Sequence, residues 1–496
     1  MADIKAWYEA RGTAARLVLI AALGAIAGTG QAPTDFWPLS ITAIAILFLI
    51  WSDSWTPRKA GLMIWLFGIG YFAVSLRWIV EPFLVDVTRH GWMAPFAMVL
   101  MAAGAGLFWA LAGWLAAWLR GGVFGLALGL VFAEFARAYV LTGFPWALLG
   151  HIWIDTPLAQ VASLGGPHLL TLLTVTAAMA VASLIGRWRL VGLVWIGLLI
   201  AIAFVLRPPP LSQTDGPLVR LVQPNAPQSQ KWDPAYRDVF LNRLMRLTSE
   251  GDRPDLVVWP ETAVPYLLNQ LDEELMLFSD AARGAPLVFG IQRYDEDFRY
   301  YNSLVVMGQG GVVTSIYDKQ HLVPFGEYIP GARLLSDIGM PGLAGNLGLG
   351  FTPGSTPGPV MLPGIGPAIP LICYEGIFAE EITSGATRPR LLLLITNDAW
   401  FGDAAGPSQH LAQARLRAIE QGLPMVRVAN TGISAMIDPY GRVVAQLPLG
   451  VEGAINAPLP AAREATPYSR FSDLPAIVLL SILLLGAFVT GRREYD

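Results

Sequence analysis

Over its first two hundred residues the chain is built of long apolar runs separated by short polar or basic breaks, at 17–30, 39–51, 61–80, 92–119, 123–141, 161–185 and 190–206, with one more at 474–489. Runs of this kind without regular polar positions predict membrane-spanning helices, although the first two fall short of the usual length of about 20 residues. The first run could also be read as a signal peptide. Gly28-Thr29-Gly30-Gln31 is a poor cleavage site, however, and six further runs follow it before residue 207. Arg207-Pro208-Pro209-Pro210 then stops the seventh helix, because consecutive prolines cannot continue one.

Beyond that break the pattern changes. Short β-prone runs at 218–223, 256–259, 286–292, 303–308, 312–318, 368–373, 391–397, 425–430 and 435–437 alternate with amphipathic stretches at 236–250, 270–282 and 409–421. This alternation predicts an α/β domain with packed sheets. The Gly- and Pro-rich stretch 339–367 has no period and reads as a long loop. With Ile338 just before it and Met340, Leu343, Leu347, Leu349 and Phe351 within it, the stretch suggests a flexible apolar arm over a site. The expected organisation is a transmembrane bundle over 1–208, an α/β domain over 217–460 and a last transmembrane helix over 474–490.

Composition agrees with a membrane protein: 54% hydrophobic, 14% charged, mean hydropathy +0.50. A net charge of −4 gives no reason to expect a nucleic-acid partner. Basic residues fall on alternate sides of the runs. Lys5, Arg11 and Arg16 precede the first, Arg58 and Lys59 follow the second, Arg120 the fourth, and Arg187 and Arg189 the sixth, while Arg492 and Arg493 follow the last. The positive-inside rule then predicts eight spans with both termini cytoplasmic and the α/β domain on the outer side. Glu134 and Arg137, one helical turn apart within a run, read as a structural ion pair inside the bundle.

The chemistry concentrates at three strand ends. Cys373 is the single cysteine, so no disulfide can form within the chain. It ends the apolar run Pro370-Leu371-Ile372, and it is either a small buried hydrophobe or a nucleophile mounted at a turn. Glu261 ends Leu256-Val257-Val258-Trp259-Pro260, and Lys319 follows Ile316-Tyr317-Asp318. A strand-terminal Glu or Lys is commonly a solvated charge, yet a carboxylate, an ammonium and a thiol at one sheet edge could act as base, oxyanion partner and nucleophile. The five histidines are scattered without ligand spacing, so no metal is expected.

Trp259-Pro260-Glu261-Thr262-Ala263, His321-Leu322-Val323-Pro324-Phe325-Gly326-Glu327-Tyr328 and Ile372-Cys373-Tyr374-Glu375 resemble motifs of the bacterial apolipoprotein N-acyltransferases, whose Glu-Lys-Cys triad is that of the nitrilase superfamily. The resemblance extends through Gln228-Ser229-Gln230-Lys231-Trp232 and Thr396-Asn397-Asp398-Ala399-Trp400-Phe401-Gly402. It implies an α-β-β-α sandwich attached to a helical membrane bundle, with Glu261, Lys319 and Cys373 catalytic. Glu327, Tyr374 and Glu375 would be supporting residues and Trp232 would bind substrate. By the same resemblance the chain is expected to move an acyl group from a phospholipid, through a Cys373 thioester, to the amine of a diacylglyceryl-cysteine apolipoprotein. It would do so as a monomer in the inner membrane, its catalytic domain periplasmic, without a cofactor. The alternatives are a membrane-tethered amidase or nitrilase acting on a small amide, and an inactive transporter or scaffold. Eight spans argue against the first, since a tether needs one, and the intact triad argues against the second.

Overall fold

The computed structural model describes residues 2–211, 215–330, 350–382 and 387–493. These divide into two units. One comprises Met1–Pro210, Ala404–Gln421 and Ala465–Asp496; the other comprises Leu211–Asp403 and Gly422–Glu464.

The first unit is helical. Val87–Trp118, Gly122–Tyr139 and Pro157–Ser183 are long and apolar enough to cross a bilayer, while Thr13–Gly28, Trp37–Ile50, Arg189–Val205 and Leu474–Gly486 are apolar but shorter. The run expected at 61–80 is broken: Pro57–Ser75 and Arg77–Leu84 meet at 66°. The stretch 81–91, expected as a loop, is largely helical, through Glu81–Leu84 and Val87–His90. Small residues bring helices together. A Cβ on Gly24 would stand 1.9 Å from the Phe67 carbonyl oxygen and one on Gly70 1.9 Å from that of Ala21, so Thr13–Gly28 and Pro57–Ser75 touch backbone to backbone. Arg189–Val205 turns Leu190, Val194, Ile200 and Phe204 outward, each more than 60% exposed, the surface of a helix whose solvent is apolar. Glu134 and Arg137 pair at 3.0 Å, both buried. Glu134 also accepts from Trp109 Nε1 and the Leu149 amide, and Arg137 donates to the Phe144 and Trp146 carbonyls, so both charges have partners beyond each other.

The helix Gly406–Gln421, which the sequence pattern groups with the α/β domain, makes its contacts in this first unit. Gln409 accepts from Trp146 Nε1 and donates to the carbonyls of Ala32 and Ser75.

The second unit holds two six-stranded sheets. The first runs β12 (Gly453–Pro458), β1 (Leu218–Gln223), β2 (Leu256–Val258), β3 (Leu287–Tyr294), β4 (Tyr300–Met307), β5 (Val313–Asp318). The other runs β11 (Val443–Leu447), β10 (Ser434–Ile437), β9 (Met425–Ala429), β8 (Leu391–Thr396), β7 (Gly366–Ile372), β6 (Val360–Leu362). In each sheet a parallel trio, β1-β2-β3 or β7-β8-β9, is flanked by antiparallel strands. Alternation along the strands explains the layering. Val219, Leu221, Leu256 and Val258 point into a core shared with Ile372, Leu393, Ile395 and Val428 of the second sheet. Val222, Val257, Phe289 and Val305 face the other way, against Leu244, Leu247 and Phe278 of the helices Arg237–Ser249 and Glu273–Ala281.

Three strands were not expected from the pattern, β6, β11 and β12. The last part of the predicted 339–367 loop is structured, with β6 pairing antiparallel to β7. Of the apolar residues assigned to a covering arm, Ile338, Met340, Leu343, Leu347 and Leu349 lie outside the described residues. Phe351 is described, and its amide donates to the Glu327 carbonyl.

Candidate active site

β2 delivers Glu261. The chain leaves the strand through Trp259 and Pro260 and turns at Thr262, which has a left-handed φ of +44°. This turn lies against Gly290 of β3, where a Cβ would sit 2.5 Å from the Thr262 nitrogen and 2.6 Å from the Glu261 Cα. Only glycine fits there, so the neighbouring strand sets the depth of the carboxylate.

Lys319 follows β5 and is almost wholly buried. Its Nζ is 3.8 Å from Glu261 Oε1 and 2.9 Å from Glu327 Oε2. Burial opposes its charge, but Glu327 and then Glu261 outweigh it and hold the ammonium above its ordinary range. Glu327 is fixed in turn by the Val323 amide at 2.8 Å. Asn302 of β4 completes the arrangement: its Nδ2 donates to Glu261 Oε1 at 2.7 Å and to Glu327 Oε1 at 3.1 Å. The two acceptors fix the orientation of the amide, and the Asn302 carbonyl receives the Lys319 amide at 2.8 Å.

Cys373 directly follows β7 with φ +53°, a left-handed value at a non-glycine residue, and opens the 3₁₀ turn Cys373–Ile377. Such backbone is uncommon and concentrates at functional turns. Burial pushes the thiol well above its usual range and Glu261 adds to this, while Lys319 pulls the other way. The sulfur is therefore within the electrostatic reach of both other members of the predicted triad. A thiol so raised needs an adjacent base before it can attack.

Glu375 does not touch Lys319. Its Oε1 accepts from Tyr317 Oη at 2.8 Å and from the Gln320 and His321 amides, and its Oε2 accepts from the Ile372 amide at 2.7 Å. One carboxyl thus ties the turn after Cys373 to the turn after Lys319, although burial raises it to about 7. Tyr374 packs edge-on to His321 and Phe378 at 5.4 and 5.0 Å. Trp232 is 46% exposed and joins the site through Lys231, whose Nζ lies 5.6 Å from its ring centre.

Sequence reasoning named neither Asn302 nor Lys231 as site residues. Lys231 is buried and donates to the Glu261 carbonyl at 3.2 Å and to Thr262 Oγ1 at 2.8 Å, bracing the Glu261 turn. Burial lowers it to about 8 against the pull of Glu261 and Cys373. An Asn in mid-strand and a Lys beside a Trp carry no local signal; only strand register and tertiary approach bring them to the site.

Residues 218–468 match the carbon-nitrogen hydrolase family and residues 23–180 match the apolipoprotein N-acyltransferase N-terminal domain. An apolipoprotein N-acyltransferase of Rhodopseudomonas palustris is 37% identical, with 96% of this chain and 95% of the relative aligned. One of Bradyrhizobium diazoefficiens is likewise 37% identical, over 95% and 94%. Among solved structures, the amidase from Nesterenkonia sp. AN1 is similar at 19% identity and a TM-score of 0.37, covering 50% of this chain and 94% of the amidase. Across both its helical and its two-sheet parts, the chain belongs to the apolipoprotein N-acyltransferase family.

Proposed function

We propose that this chain is an inner-membrane enzyme that N-acylates lipoproteins, with Glu261, Lys319 and Cys373 as its catalytic residues. The observation that carries the assignment of residues is the Glu261–Asn302–Glu327 cluster around the buried Lys319, with Glu261 and Lys319 both acting electrostatically on the one cysteine of the chain. Glu261 takes the thiol proton and the thiolate attacks a phospholipid ester carbonyl. Lys319 stabilises the oxyanion, and the lysophospholipid alkoxide leaves with the proton held by Glu261. The α-amine of a diacylglyceryl-cysteine then attacks the thioester, gives its proton to Glu261 and expels the thiolate. Glu327 holds Lys319, Glu375 and Tyr374 hold the turn that carries the nucleophile, and Trp232 is a substrate contact. No cofactor takes part.

The same reading includes eight spans, cytoplasmic termini, a periplasmic catalytic domain over 217–460 and a monomeric enzyme. It is supported by the alternation of basic residues and by the apolar helices of the first unit. Lifting acyl chains into water costs about 0.8 kcal/mol per CH₂, so a membrane-embedded unit suits two lipidated substrates.

The test is to supply the full chain, in mixed phospholipid and detergent micelles, with a synthetic diacylglyceryl-cysteine peptide. One acyl group should be added at the peptide amine for each lysophospholipid released. Release of ammonia from small amides without any peptide acylation would replace this reading with that of a membrane-tethered amidase.

A further inference from the structure

Thr396 is the last residue of β8, and the register that pairs Ile372 with Ile395 sets it beside Cys373. Its side chain is wholly buried, and its hydroxyl acts on Cys373 in the sense of a hydrogen bond that favours the thiolate. The same hydroxyl donates to Asp398 Oδ1 at 2.9 Å. Asp398 is held in turn by Arg427 Nη2 of β9, in a pair with both side chains 0% exposed. Room for this carboxylate exists because residue 432 is glycine: a Cβ there would stand 2.2 Å from Asp398 Oδ2.

A hydroxyl has one hydrogen, and an ionised carboxylate can only accept. With that hydrogen committed to Asp398, Thr396 presents lone pairs to the sulfur. The resting thiol therefore donates its S–H to Thr396. Once Glu261 has removed the proton, the sulfur becomes an anion that needs donors, and a threonine still bonded to Asp398 would turn lone pairs toward a negative charge.

We propose that Thr396 is a further catalytic residue of the acyl transfer proposed above, a hydroxyl with two positions that donates to Asp398 in the thiol and thioester states and swings to donate to Cys373 Sγ in the thiolate state. The proton bookkeeping is closed: the thiol hydrogen passes to Glu261, the threonine hydrogen stays on its own oxygen, and only the hydrogen-bond acceptor changes. Asp398 keeps Arg427 as its partner in both positions. The same swing serves the second half-reaction, where the amine expels the thiolate and the sulfur again becomes an anion. Charged groups that act on this sulfur include Glu261, Lys319, Asp398 and Lys231. Thr396 is a neutral group beside it whose donor can be redirected.

Because Cys373 is the one cysteine, both of its states can be read without labelling elsewhere. The full chain in detergent is alkylated with iodoacetamide over the neutral to alkaline range and followed by intact mass. Thr396→Val should alkylate about tenfold more slowly at each pH, equivalent to moving the profile up by about one unit, the scale of one hydrogen bond to a charged group. Labelled acyl-enzyme should form about tenfold more slowly in the same variant. Thr396→Ser, which keeps the hydroxyl, should restore both. A folded Thr396→Val chain whose alkylation profile overlies that of the wild type overturns the proposal, even while wild-type acylation upholds the enzyme assignment; failure of the wild type to acylate would instead strike that assignment. The infrared S–H stretching band arises from this single thiol, and it is read in the wild type and in Glu261→Ala, which removes the carboxylate that could accept the same proton, so that it tests the resting arrangement even where Thr396→Val does not fold. A band shifted as for a hydrogen-bonded thiol is expected, and one at the free-thiol position refutes the resting arrangement.

Discussion

Replacing Asn302 with Asp exchanges, at nearly constant volume, the donor that lies between Glu261 and Glu327 for a third negative charge. Its Nδ2 is 2.7 Å from Glu261 Oε1 and 3.1 Å from Glu327 Oε1. Two unit charges about 2.7 Å apart repel by about 6 kcal/mol at an effective dielectric of ~20. Even if side-chain movement relieves two thirds of this, about 2 kcal/mol remains, roughly a 30-fold effect. The remaining repulsion opposes the ionised, closed arrangement, so the carboxylates part or share a proton and the base is displaced from its working position. The variant should form acyl-enzyme about 30-fold more slowly than the wild type near neutrality. The sign of its pH dependence follows: a carboxyl cluster made harder to ionise regains its free base as pH rises, so the deficit should shrink in alkaline buffer. Asn302→Leu removes the donor without adding charge and should be slow at every pH, with no such recovery. The assay is single-turnover labelling with radiolabelled phospholipid across pH. A neutral-pH rate for Asn302→Asp within twofold of wild type would refute the assignment of Glu261 as base and the role of Asn302 in holding it.

The remaining expectations concern other parts of the account. Glu375 is raised by burial from 4.5 to about 7, so its contribution to stability is complete below about 4.5 and is lost as pH rises through about 7; the fall in thermal midpoint over that window should be absent from Glu375→Gln, and its persistence there would assign it to another group. Lys231→Met removes both donors that brace the Glu261 turn, and acylation should slow about tenfold while the chain stays folded, as one or two lost hydrogen bonds imply; an unchanged rate would reduce Lys231 to packing. A membrane-impermeant maleimide should label Cys373 in intact spheroplasts, and labelling seen only after lysis, with reagent access shown in detergent, would reverse the topology.

How much could be read beforehand differs by residue. Glu261, Lys319 and Cys373 were legible because each interrupts an apolar strand at its end, where a charge or thiol is conspicuous. Asn302 was not, since it lies within β4 and acquires its partners from the pairing of Ser303 with Asp318, which carries the lysine that follows into reach. Thr396 stood in a recognised motif, but its role depends on the register of β7 against β8 and on the buried Asp398–Arg427 pair. β6, β11 and β12 are three to six residues long, and two of them alternate buried and exposed positions too briefly to register as a pattern. The helix Gly406–Gln421 was legible as a helix; its amphipathic pattern shows that a face is buried but not in which unit. In the bundle the apolar runs were plain, whereas the bend after Ser75 falls in Val74-Ser75-Leu76-Arg77, with neither Gly nor Pro to mark it. The break within Ala162–Ser183 has a local mark in Gly165-Gly166-Pro167, where Gly166 at φ +72° also leaves room for the Tyr468 ring.

The central claim is a covalent acyl-enzyme on the one cysteine. The most direct measurement incubates the full chain with phospholipid labelled in its acyl chain, isolates the protein and maps the label. The account predicts one label per chain, on Cys373, released by neutral hydroxylamine, chased onto the amine of a diacylglyceryl-cysteine peptide and absent from Cys373→Ala. A label that resists hydroxylamine, or one that persists in Cys373→Ala with peptide acylation intact, would contradict it.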